Sequence, residues 1–100
     1  MLVVHAEFPI DPAKREEALE LVRELAEHSR AEDGVVDYRV TADLEDENVV
    51  RIFEQYEDEA AVDAHMESDH FLAFQGQVPE FAGGEVELYR FDVSEKSQMM

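Results

Sequence analysis

The chain contains no cysteine and no tryptophan, and only two of its 100 residues, Lys14 and Lys96, are lysines. Without cysteine, neither a disulfide framework nor a thiolate metal site can form. No apolar run approaches the length of a bilayer span. The N-terminus has neither the basic start nor the long apolar segment of a signal peptide, so the expectation is a soluble, cytoplasmic protein without membrane attachment. Basic residues are also scarce, 8 against 26 acidic ones, for a formal charge of −18. Phosphate contacts need a basic patch, which excludes nucleic acid as a partner. The charge far exceeds the roughly 2–8 units suited to a small soluble domain. Such self-repulsion costs stability in dilute salt and is relieved by screening. The acids are dispersed along the chain rather than clustered, as on a solvated surface adapted to a halophile's salt rather than one that binds a basic partner.

What is present is enough for one core. An apolar content of 45% argues against disorder, and the length suits a single domain. Met1 to Ile10 alternates as a strand, with Leu2, Val4, Ala6, Phe8 and Ile10 on one face and His5 and Glu7 on the other. Asp11-Pro12 is a helix start, an N-cap followed by proline at the first helical position. The helix is expected to reach about Arg30, burying Ala18, Leu21, Val22, Leu25, Ala26 and Ser29. Glu32-Asp33-Gly34 is a turn, and Val35 to Ala42 a second strand. An acidic hairpin, Glu45 to Asn48, leads into a third strand, Val49 to Tyr56. Asp58 caps a short helix over Ala60 to His65. Ser68 caps another, from Asp69 to about Gln77, which Pro79 is expected to stop. Gly83-Gly84 permits a sharp turn into a last strand, Glu85 to Val93, and residues 94–100 form a patternless tail.

Strand, helix, strand, twice over, predicts an α+β fold over residues 1–93. The arrangement is the ferredoxin-like split βαβ, an antiparallel sheet with helices on one face. The other face carries valine or aromatic residues on each strand. A second copy of the chain would bury it, which makes a homodimer the expected assembly.

The stretch from Val49 to Phe74 carries a further pattern. A strand ending in Glu54-x-Tyr56 leads through an acidic turn into a helix with Ala60 and Ala61, then His65, then His70-Phe71. In order and spacing this resembles the antibiotic biosynthesis monooxygenase (ABM) domain family. The resemblance covers about residues 1 to 93 and implies a dimeric α+β barrel with a pocket between helices and sheet. It implies cofactor-independent oxidation of a small electron-rich aromatic, a phenol or quinol, by dioxygen. It also leaves open a non-catalytic small-molecule-binding or stress-response domain, or an isomerase. The haem-degrading branch of the superfamily uses an Asn, a Trp and a His where this chain has Ala6, His65 and Gln75. All three differ, so haem is not implied.

Two residues stand out as candidate chemistry. His65 follows small residues that let a helix approach a sheet; by itself it also suits a helix end, where a histidine meets free carbonyls. The resemblance makes it the base, bordering the pocket. Glu54 shares a strand face with Val50, Ile52 and Tyr56. It is either exposed, paired with Arg51 or Arg39, or buried with a raised pKa, which would make it a possible acid or base; in the catalytic reading it orients His65. Tyr38, Tyr56, His70, Phe71 and Phe74 are the expected substrate-binding wall. Two histidines five residues apart lie roughly 140° apart on a continuous helix. His65 and His70 are therefore not expected to chelate together, and no metal is expected. No nucleophile constellation or glycine-rich phosphate loop occurs.

Overall fold

The alternating N-terminus forms strand β1, Leu2–Pro9. A computed structural model describes residues 1–100. After β1 a 3₁₀ turn, Pro12–Lys14, leads into helix α1, Arg15–Arg30. Asp11 Oδ1 accepts from Ala13 N at 3.0 Å, so the Asp-Pro start caps the 3₁₀ turn, one step before the α-helix proper. Strands β2, Val35–Ala42, and β3, Val49–Tyr56, follow at the expected boundaries. Helix α2, Glu59–Met66, is capped by Asp58, and helix α3, Asp69–Phe81, by Ser68. Strand β4, Glu87–Asp92, closes the fold.

Helix α3 runs past Pro79, contrary to the expectation that proline ends it. The proline falls in the last turn, where Ala82 N still reaches Val78 O at 2.8 Å. The bond it cannot donate belongs to exposed Gln75, whose carbonyl water can serve. Strand β4 is two residues shorter at its start than the sequence pattern suggests, and exposed along its whole length.

The sheet is antiparallel in the order β2-β3-β1-β4. Even-numbered residues of β1 and β3 face the helices, as do Val35 and Tyr38 of β2 on either side of a register shift. Ala6, Phe8, Val50, Ile52 and Tyr38 pack there against Ala18, Val22, Leu25 and Ala26 of α1 and Phe74 of α3. The odd-numbered face is open. On it His5 pairs across the sheet with Phe53 and Tyr89, and Val3 with Phe91. Phe53, Tyr89 and Phe91 are about half exposed, at 45%, 45% and 52%. Residues 95–100 carry no helix or strand, but Lys96 Nζ reaches back to Gln55 Oε1 on β3 at 2.9 Å.

One glycine positions the site. Gly34 adopts φ +84°, and a Cβ there would lie 2.7 Å from Ala61 Cβ. Its carbonyl accepts from Glu57 N at 2.8 Å. Only glycine lets the turn after α1 come so close to α2 with this backbone.

Candidate active site

Between the helix face of the sheet and α3 lies an apolar cavity of about 330 Å³. Phe8, Ile52, Phe71, Phe74, Val78 and Leu88 are among the apolar side chains that line it. Gln75, Tyr38 and Glu54 supply the polar groups. Two or three polar groups converging in an apolar hollow is the usual composition of a small-molecule site. A smaller cleft of about 170 Å³ adjoins it, lined by Tyr56, Val62, Met66 and Arg90 and sharing Glu54, Phe71 and Leu88 with it.

Glu54 is the only carboxylate lining the cavity. It is 5% exposed, and of the three environments open to it the structure selects burial. Arg51 is engaged by Glu7 and Asp43, and Arg39 by Asp37. Glu54 Oε1 instead accepts from the Tyr56 hydroxyl at 2.5 Å. Burial pushes its pKa up to about 7; the Tyr56 hydrogen bond opposes this and the Glu32 charge adds to it. Burial and the nearby Glu54 charge push both Tyr38 and Tyr56 well above the ordinary phenol range. The tyrosines are therefore held neutral, while Glu54 can change charge near neutral pH.

His65 is 1% exposed, sealed at the end of α2. Its partner is not Glu54. Nδ1 meets Glu32 Oε2 at 2.8 Å, and His70 Nε2 meets the same oxygen at 2.6 Å. The break between α2 and α3 at Glu67 and Ser68 corrects the expectation that the two histidines diverge. The Ser68 hydroxyl donates to His65 O at 2.6 Å and accepts from Phe71 N at 3.2 Å, which turns the chain and brings both rings to Glu32. With a carboxylate as acceptor, Nδ1 of His65 carries the ring proton, leaving Nε2 as a buried lone pair with no hydrogen-bond partner. Burial lowers the His65 pKa, and the Glu32 bond opposes that. Around the ring stand Tyr38, Tyr56 and Phe71, with centroids 5.5, 5.7 and 5.1 Å away.

The residues expected at the site thus divide. Glu54, Tyr38, Phe71 and Phe74 line the cavity, and Tyr56 the adjoining cleft. Ala6 and Gln75 line the cavity as well. His65 stands behind this wall, packed on its tyrosines and on Phe71. His70 lines a separate outer cleft with His28 and Glu24. Glu32 was not among the expected residues. It reads as part of a turn, and its partners lie 33 and 38 residues further on, beyond the reach of any spacing rule.

Residues 1–77 match the family described as antibiotic biosynthesis monooxygenase. The chain belongs to this family. YcnE of Bacillus subtilis (strain 168) is 35% identical over 95 residues, which are 95% of this chain and 100% of that protein. Among solved structures, Rv0793 from Mycobacterium tuberculosis superposes with a TM-score of 0.90 at 26% identity, covering 97% of this chain and 98% of that one. A conserved protein from Methanosarcina mazei Go1 gives 0.85 at 30% identity over 90% and 89%. The ABM fold therefore extends past the matched residues to β4, and membership places the chain among monooxygenase-type proteins. No helix is long and apolar enough to cross a membrane.

Proposed function

We propose that this ABM protein is a monooxygenase that oxidises a small electron-rich phenol or quinol with dioxygen, using Glu54 as the base. The observation that carries the reading is the one carboxyl group of a largely apolar cavity of substrate size, buried so that its pKa is pushed up to about 7. A general base works best when its pKa lies near the working pH. Glu54 takes the phenol proton, and the neutral Tyr38 and Tyr56 add no competing negative charge beside the anion. The electron-rich ring carbon then forms a bond to dioxygen, and the resulting peroxide anion takes the proton back from Glu54 to become a hydroperoxide. Loss of the ring C–H proton and cleavage of the O–O bond release water and leave a quinone. One oxygen atom ends in the product and one in water, and all four electrons come from the substrate. No further cofactor is part of this scheme. His65, first read as the base, becomes a positioning residue that holds Tyr38, Tyr56 and Phe71 in place.

The exposed Phe53, Tyr89 and Phe91 support a homodimer joined through the open sheet face, and the dispersed acids support adaptation to high salt. Oxygen uptake over a panel of phenols and quinols tests the activity. Glu54→Gln, which keeps shape but cannot accept the proton, should lower turnover by a factor of about 10²–10⁴. Substrate binding with no oxygen consumption would leave the alternative of a small-molecule-binding domain and defeat the catalytic one. Unchanged turnover in Glu54→Gln would remove Glu54 from the chemistry.

A further inference from the structure

We propose that Glu32, His65 and His70 form a binding site for a divalent transition-metal ion of the zinc class. The three ligand atoms, His65 Nδ1, His70 Nε2 and a Glu32 carboxylate oxygen, all lie within 4.8 Å of one another. Two imidazoles and one carboxylate are a donor set for zinc and its first-row neighbours rather than for calcium or magnesium, which take oxygen ligands. The nitrogens sit 2.8 and 2.6 Å from one shared oxygen. A tetrahedral zinc ion with Zn–N bonds of 2.0–2.1 Å needs ligand atoms about 3.3 Å apart. Each nitrogen therefore needs to move about 0.5–0.7 Å away from the shared oxygen, and a bound ion with a fourth open position would replace the crowded contact.

The surroundings fit a site rather than three surface groups that happen to be near. The side chains are 1%, 15% and 23% exposed for His65, Glu32 and His70, so the cluster is sealed on its His65 side and reachable past His70. His70 lines an outer cleft of about 170 Å³ with Glu24 and His28, a route with a further carboxylate and imidazole along it. The His28 ring stacks on His70, centroids 5.5 Å apart, and fixes its plane. The site joins three segments, the turn after α1, the end of α2 and the start of α3. A bound ion would brace the pocket wall, since His65 packs on Tyr38, Tyr56 and Phe71.

Calorimetric titration of chelator-treated protein with Zn²⁺ tests this, in molar salt so that the surface carboxylates are screened. One equivalent per chain is expected, with a rise in melting temperature. An outer-shell partner alone is worth about 10–100-fold in affinity, so His70→Ala should weaken binding by at least that factor, whereas Glu17→Gln, on the exposed face of α1, should not change it. Should His70→Ala fail to fold, nitrogen-detected NMR of the wild-type histidine rings decides. Zn²⁺ should shift the ring nitrogens of His65 and His70 and spare those of His5. Absence of a one-to-one binding isotherm, binding indifferent to His70→Ala, or ring shifts confined to His5 and His28 would each show a hydrogen-bonded cluster only and overturn the proposal.

Discussion

Replacing Glu54 by glutamine should alter the pH dependence of stability in a specific direction. In the unfolded chain this carboxyl titrates at its ordinary value of 4.5, and in the folded protein at about 7. Between those values the native state holds a proton that the unfolded state has released. The contribution of the protonated group is therefore complete below pH 4.5 and is lost as pH rises through 7. At 1.36 kcal/mol per pH unit, the gap corresponds to about 3 kcal/mol. The groups facing Glu54 are Tyr56 on its own strand, Tyr38 from β2, Glu32 from the turn after α1, and Arg90 from β4 across the shared cleft. Both tyrosines stay neutral through this range, their pKa values being raised. Arg90 is held by Glu59 and Asp92. Glutamine keeps an oxygen that accepts from Tyr56 and has no proton to lose. Thermal melts in constant molar salt should therefore show the two proteins close together at about pH 4. By about pH 9 Glu54→Gln should be more stable by roughly 3 kcal/mol, about 12–24 °C for a domain of this size. Parallel profiles, or a variant less stable than wild type at the alkaline end, would refute the buried, raised-pKa account of Glu54.

Other outcomes follow from the charge, the open face and the turn. With a formal charge of −18, melting temperature should climb from dilute to molar salt; a flat profile would remove the high-salt reading. Light scattering in high salt should return a dimer mass at micromolar concentration, and Phe53→Asp, on the exposed sheet face, a monomer mass. A wild-type monomer would leave the aromatic face unexplained. Gly34→Ala combines a left-handed backbone with a 2.7 Å approach to Ala61 Cβ, and should cost about 1–3 kcal/mol in urea unfolding. A change within error of zero would mean that the turn relaxes freely.

The elements were legible because each is written in local chemistry. Strand alternation in β1 and β3, the Asp58 and Ser68 caps, and Gly34 in a turn all depend on neighbours a few residues away. The placement of Glu54 on the same strand face as Ile52 and Tyr56 was readable for the same reason. Its environment was not, because exposed, paired and buried carboxylates look alike in one dimension. Arg51 turned to Glu7 and Asp43 instead, and Tyr56 supplied the hydrogen bond. Pro79 misled because its effect depends on where it falls in the helix, and a last-turn position loses only one bond. The largest shift concerns His65. The family pattern has it bordering the pocket, whereas it stands buried behind the wall, and its partner, Glu32, comes from a turn that only folding brings near. The kink at Ser68 then adds His70 to the same carboxylate oxygen. Periodicity reports which face a side chain occupies; which groups meet across 33 or 38 residues depends on how helices pack on the sheet.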